Sequence, residues 1–182
     1  MKIISGNLKG RTIDMPKGIR PTSDKVREAL FEILKQRIEG ASFLDLYCGS
    51  GAIGIEALSR GAKAVSFVDT NISSIKILRK NLARVGISGL SSIYIYKNNS
   101  IKAIREFYKD KKKFDIVFLD PPYYHEIAKN TLIELSNYDI LTRNAVIVAE
   151  VFKKEDLPDE IRSITKFKTS LYGDTKLEFF KP

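Results

Sequence analysis

The 182-residue chain is 43% hydrophobic and 29% charged, the composition of a soluble globular protein of one domain, large enough for a sheet covered on both faces. No apolar run approaches the ~18 residues a bilayer crossing requires, the start, Met1-Lys2-Ile3-Ile4-Ser5-Gly6-Asn7, is too short and polar for a secretory signal, and the lone Cys48 excludes an internal disulfide and fits a reducing cytoplasm. Thirty-one Lys and Arg against 22 Asp and Glu give +9, of which residues 1–27 hold a net +5; this segregation points to a polyanionic partner, against the alternative of a lysine-rich solvated surface.

Taken in chain order, residues 2–4 and 11–13 are short β-like runs separated by Gly6 and Gly10, so a small hairpin is expected in an extension over residues 1–21. Arg20-Pro21-Thr22-Ser23 introduces a helix whose Val26, Ala29, Leu30, Ile33, Leu34 and Ile38 recur at helical spacing until Gly40. Strands at 42–47, 64–69, 92–96, 114–119 and 145–151 then alternate with helices near 52–60, 72–85, 101–108 and 126–136. This rhythm predicts a doubly wound, mostly parallel sheet. The tail breaks it: runs at 164–172 and 176–180, joined by Gly173-Asp174-Thr175, leave no room for a crossover helix and predict an antiparallel hairpin. Seven strands result, in a Rossmann-like α/β arrangement whose last pair is antiparallel. Lys111-Lys112-Lys113 reads as a solvent-exposed basic loop.

Two motifs carry chemistry. In residues 45–54, Gly49, Gly51 and Gly54 fit the G-x-G-x-x-G spacing between a strand and a helix, a loop that lets the backbone turn tightly against a nucleotide. Asp69 ends the next strand, where an acid accepts the hydroxyls of a ribose. Asp45, ahead of the loop, would repel a pyrophosphate and attract the ammonium and sulfonium of S-adenosylmethionine. The second motif, Asp120-Pro121-Pro122-Tyr123, closes the apolar run 114–119. Its prolines donate no N–H and leave carbonyls unused in any ladder. The cluster suits a flat base with an exocyclic amine: Asp120 and the Pro121 carbonyl accept the two N–H groups and Tyr123 stacks on the ring. By itself the tetrapeptide also reads as a strand-terminating turn.

The pieces Ile4-Ser5-Gly6, Lys9-Gly10-Arg11, Arg20-Pro21-Thr22, Val26-Arg27-Glu28-Ala29-Leu30-Phe31, residues 45–62 and Asp120-Pro121-Pro122-Tyr123 together resemble the RsmD family, bacterial 16S ribosomal RNA guanine-N2 methyltransferases, from residue 3 to Asp174. The glycine loop and the tetrapeptide are shared with many amino-methyltransferases; the amino-terminal block is the specific part. The resemblance implies a class I S-adenosylmethionine-dependent fold, with the cofactor over Tyr47, Cys48, Gly49, Ser50 and Gly51, flanked by Asp45 and Asp69. It places Asn99 at the adenine, though Asn98 and Asn99 also read as turn residues. It gives Asp120, Pro121, Pro122 and Tyr123 the catalytic role, and Lys9, Arg11, Arg20 and Arg27 the grip on 16S RNA, within a small-subunit assembly particle. Arg27 and Glu28 read equally as a helix-surface pair.

Cys48 reads as a packing residue, and His125, the one histidine, makes no metal site with it, so no metal is expected. Nothing calls for a dimer, and a cytoplasmic monomer is expected. Competing functions are a DNA or RNA adenine-N6 methyltransferase, which uses the same two motifs; a dinucleotide oxidoreductase, which leaves the tetrapeptide and the charge unexplained; and a silent RNA-binding domain, which needs neither motif intact.

Overall fold

The computed structural model describes residues 1–15, 23–122 and 126–182. Helix α1 spans Asp24–Ile38 and begins where the Ser23 hydroxyl accepts from Val26 N, the capping role for which serine is suited. There follow β1 Ser42–Leu46, α2 Ala52–Ser59, β2 Ala64–Asp69, α3 Ile72–Arg84, β3 Ile93–Lys97, α4 Ser100–Lys109, β4 Phe114–Leu119, α5 Ile127–Asn137 and β5 Leu141–Phe152. The chain ends with β6 Glu160–Ile161, β7 Ile164–Tyr172 and β8 Thr175–Lys181.

These strands form one sheet in the order β3-β2-β1-β4-β5-β8-β7-β6. The first five in that order pair in parallel, and β8, β7 and β6 pair antiparallel. An antiparallel strand beside β5 separates this topology from the all-parallel dinucleotide-binding order. The described sheet has eight strands where seven are predicted. The addition, β6, is two residues long, Glu160 opposite Thr165 and Ile161 opposite Ile164, and a dipeptide has no periodicity to read. The predicted amino-terminal hairpin reduces to a single antiparallel bridge between Lys2 and Thr12. No helix of the described residues is long and apolar enough to cross a membrane.

Two cores lie on opposite faces of the sheet. One packs α1, α2, α3 and the amino-terminal Ile3, Leu8 and Ile13 against Phe43, Phe67, Phe118 and Val148. The other packs α4 and α5 against Leu44, Val117, Leu119 and Ile147. Alternate residues of a strand face opposite sides, and β1 and β4 are buried on both, which is why their sequences read as continuous apolar runs.

The extension is bound to this frame through buried polar groups of α2. The Glu56 carboxylate, with no exposure, accepts from Ile4 N at 2.8 Å and Ser5 N at 3.0 Å and pairs with Arg60 at 2.7 Å. The Ser59 hydroxyl donates to Ser5 O and accepts from Leu8 N, and Ser59 O accepts from Asn7 N. At Gly6, where φ is +80°, a Cβ would stand 1.7 Å from Ser59 O, so no side chain fits this turn. Removing one member of a buried, hydrogen-bonded ion pair costs about 3–5 kcal/mol. Glu56→Ala is therefore expected to lower the unfolding free energy by ~3 kcal/mol and to expose the amides of Ile4 and Ser5 to exchange. Urea titration and hydrogen exchange test this; a change under ~0.5 kcal/mol, the range of surface substitutions, would mean the extension is held by other contacts.

Candidate active site at the carboxyl edge of the sheet

Strand order reverses between β1 and β4: α2 leaves β1 on one face and α5 follows β4 on the other. In open α/β sheets the crevice at such a point binds ligands. Asp45 pairs with Phe118 and Leu46 with Leu119, so the glycine loop and Asp120 emerge side by side from adjacent strands. On the other flank, Leu119 pairs with Ala149, which brings the buried Glu150 next to the Asp120 position.

The loop is built from both sides. Gly51 has φ +81°, and a Cβ there would meet Leu78 at 2.3 Å; a Cβ on Gly54 would meet Phe67 at 2.2 Å. These two glycines are packed from below. At Gly49, by contrast, nothing lies within 4 Å of a Cβ position, so the loop presents one open glycine toward the crevice. Gly49 N donates to the Asp69 carboxylate at 2.9 Å, and the other Asp69 oxygen accepts from Asn71 N at 2.7 Å. This cradle of open backbone beside an acid at the end of β2 fits a nucleoside with a ribose at Asp69.

Asp45 lies beneath the loop with 2% exposure and accepts from Gly54 N at 3.0 Å. Loss of hydration pushes its carboxyl up to about 8, against the pull of the Gly54 hydrogen bond and with help from Asp69. The same burial and the nearby carboxylates raise the Cys48 thiol well above its ordinary value. Cys48 is thus a packing residue, held as the thiol.

Several predicted site residues have other duties. Tyr47 takes a left-handed φ of 66°, a conformation that costs a bulky residue energy, and its hydroxyl bonds Ser100 and Thr131, both at 2.7 Å. The ring ties α4 to α5, so its part in the cofactor crevice falls to its backbone. The Asn99 side chain caps α4, accepting from Ile101 N at 2.9 Å and Lys102 N at 3.4 Å. Ser50 is buried, with its hydroxyl on the Met15 sulfur at 3.2 Å. Pro121 is buried and Pro122 exposed, while Tyr123 lies outside the described residues.

Of the predicted RNA contacts, Lys9 is exposed, and Arg11 is exposed along its stem with its guanidinium donating to Val85 O. Arg20 lies outside the described residues. Arg27 is a correction. It has no exposure, and it donates to Lys2 O at 2.7 Å and to Asp24 at 2.8 Å, so it clasps the first residues of the chain from within and faces no RNA.

One residue was missed. Asn81 on α3, with no exposure, donates to Asp14 O and to Ser50 O, both at 2.9 Å, and accepts from Asp14 N at 2.8 Å. It therefore joins the extension to the glycine loop. The signal in the sequence was an amide on the helix stripe marked by Leu78 and Leu82.

The fold and the crevice define a Rossmann-like methyltransferase. Ribosomal RNA small subunit methyltransferase D of Buchnera aphidicola is 35% identical over 157 residues, covering 85% of this chain and 80% of its own length. The protein of that name from Escherichia coli K12 is 32% identical over 87% of this chain and 78% of its own. A solved structure from Thermus thermophilus superposes with a TM-score of 0.86 at 25% identity, over 100% of this chain and 99% of its own. The S-adenosylmethionine-dependent methyltransferase of Agrobacterium tumefaciens shares the fold, with a TM-score of 0.68 at 15% identity over 91% of this chain and 63% of its own. With residues 1–181 matched by the family described as Conserved hypothetical protein 95, the chain belongs to the RsmD family.

Because the folded Asp45 carboxyl titrates near 8, against 3.8 for an ordinary aspartate, the folded state holds a proton that the unfolded chain releases. The contribution of Asp45 to ligand-free stability is thus greatest at low pH and falls as pH rises through the window between those values. Asp45→Asn is expected to flatten that decline. Urea unfolding of both proteins between pH 5 and 8 measures it, and parallel stability curves would show that Asp45 ionises freely.

Proposed function

We propose that the chain transfers the methyl group of S-adenosylmethionine to the exocyclic N2 amine of a guanine in 16S ribosomal RNA, acting as a cytoplasmic monomer on an assembling small subunit. The observation that carries this reading is the emergence of the Asp120-Pro121-Pro122 segment from β4 beside the glycine loop of β1. An amine acceptor and a cofactor cradle then share one crevice. The names borne by the Buchnera and Escherichia coli relatives support a small-subunit RNA as substrate.

In this reading Gly49 and its neighbours cradle the cofactor, Asp69 takes its ribose, and Asp45 lies close to its amino-acid end. S-adenosylmethionine supplies an electrophilic methyl group on a sulfonium. The target guanine leaves its stack to enter the crevice, as bases do for other base-modifying enzymes. An aryl amine is a weak nucleophile because its lone pair is conjugated into the ring. Asp120 and the Pro121 carbonyl, by accepting its two N–H groups, draw the nitrogen toward a pyramidal geometry in which the lone pair is free to attack. Asp120 takes the proton as positive charge develops, and Tyr123 stacks on the base.

The adenine-N6 reading is separated by product. Incubation with labelled S-adenosylmethionine and under-methylated small subunits, naked 16S RNA or duplex DNA is expected to give N2-methylguanosine in RNA. Label on adenine, or in DNA alone, would overturn the assignment. Asp120→Ala is expected to bind S-adenosylmethionine within a few-fold of the parent and to lose roughly 10²–10⁴ in methyl transfer, the scale of positioned acid–base catalysis. Near-parental turnover by this variant would remove Asp120 from the chemistry. A cation bound near Asp45 favours its ionised form, so cofactor binding at pH 7 is expected to release a proton. Calorimetry in two buffers of different ionisation enthalpy detects the release, which Asp45→Asn should abolish.

A further inference from the structure

The basic character of the chain has a second centre. Residues 94–113 hold seven Lys and Arg against Glu106 and Asp110, a net +5 equal to that of residues 1–27. Together the two segments carry +10 in a chain of total +9, so the remaining residues sum to −1. A further basic stretch, Lys76, Arg79, Lys80 and Arg84, lies on α3. The described start of the first centre, residues 1–15, lies on the sheet face that carries Ile3, Leu8 and Ile13, and the second centre is on the opposite face, along α4 and the outer edge of β3.

The second centre is also aromatic. Tyr94 is 43% exposed and Tyr108 49% exposed, two of the six large apolar side chains that stand out from the described surface. Between β3 and the loop after α4, the Lys112 ammonium lies 4.7 Å from the Tyr94 ring centre, 5.0 Å from that of Tyr96 and 5.6 Å from that of Phe107. Its charge is fixed against rings, where an ordinary surface lysine would sweep through solvent. Tyr108 packs edge-on to Tyr138 at 5.3 Å, with the Arg105 guanidinium 6.0 Å over the Tyr138 ring. Arg105 and Lys113 pair with Glu134 and Asp139. Among the described residues no carboxylate lies within ion-pair distance of Lys97, Lys102, Lys109, Lys111 or Lys112.

Uncompensated lysines interleaved with exposed tyrosines are what a single nucleic-acid strand requires: cations for its phosphates and ring faces for its bases. We propose that α4, the outer edge of β3 and the 109–113 loop form a second RNA-contact surface, which grips a single-stranded segment flanking the target base. The inference rests on the reading of the substrate as RNA. Helix α4 begins at Ser100, just past the end of β3 at the carboxyl edge, and its ten residues run about 15 Å away from the crevice. RNA held on this face and by the extension on the other therefore straddles the edge at which Asp120 stands. The base that crosses the edge is the one presented to the amine-acceptor cluster.

The test uses the full-length protein, unmodified 16S RNA, a twelve-nucleotide oligouridylate and duplex DNA. The variants are Lys102→Ala/Lys109→Ala/Lys111→Ala, all exposed positions, and Tyr94→Ala/Tyr108→Ala. For the lysine variant, KM for 16S RNA is expected to rise about ten-fold, with kcat and S-adenosylmethionine affinity within two-fold of the parent. Its log–log salt slope for oligouridylate should be shallower by about 2, at ~0.7 for each phosphate that no longer meets a lysine. The tyrosine variant should lose about ten-fold in oligouridylate affinity with its salt slope unchanged. Parental KM and slope in the lysine variant, with the parent active on RNA, would overturn this surface alone and leave a solvated helix face. Loss of duplex binding equal to that of oligouridylate, with no effect of the tyrosines, would overturn its single-strand character. A parent that methylates no RNA would overturn the substrate reading and this surface with it.

Discussion

Two neighbouring strands whose chains leave the sheet on opposite faces determine nearly everything else in this molecule. β1 and β4 are paired in parallel and buried on both sides, but the helix after β1 packs on one core and the helix after β4 on the other. The divergence opens a crevice that needs no catalytic side chain to exist. It puts a glycine loop and an acidic, proline-rich segment within one interstrand spacing of each other although 75 positions separate Asp45 from Asp120. A pair so distant in sequence and so close in space must be held by the sheet interior, which is largely apolar.

Below the crevice the electrostatics turn on one buried carboxyl. Asp45 is sealed from water, receives one hydrogen bond from Gly54, and faces the repulsion of Asp69. In this state its charged form is disfavoured. In the proposed reading a ligand with positive charge at its amino-acid end reverses that balance, and part of its binding energy is spent on ionising Asp45. The same seclusion raises the Cys48 thiol and holds it protonated.

Much of this was legible in the sequence, for reasons that can be traced to particular residues. The helices after the glycine loop and after Asp69 were readable because their apolar spacing is long and ends in glycine, at Gly61 and Gly86. The places of Asp45, Gly49 and Asp69 at the carboxyl edge were readable because strand ends and loop spacing constrain residue type. What escaped was whatever depends on the third dimension. Arg27 stands in a basic stretch and was expected at the surface, yet its helix rotates it inward onto Lys2 O. Asn81 stands on the stripe of Leu78 and Leu82, which marks it as buried, but a single amide in a helix has no local signature of the partners it meets across 67 positions, at Asp14, and 31, at Ser50.

The way the extension is held has a consequence for how this chain can change over time. Glu56, Ser59 and Asn81, the buried polar groups that dock it, address the extension only through main-chain atoms, at Ile4, Ser5, Asn7, Leu8 and Asp14. The ion pairs from Asp14 to Lys80 and Arg84 lie at the surface, with side chains 35–64% exposed, and such pairs contribute little. Apart from apolar residues at Ile3, Leu8 and Ile13, a glycine at position 6, and the Arg11 and Met15 side chains that meet Val85 O and the Ser50 hydroxyl, the dock is indifferent to sequence. The outward side chains are therefore free to be rewritten without loosening the scaffold. In the proposed reading, that half of the RNA contact can change while the scaffold beneath it stays fixed.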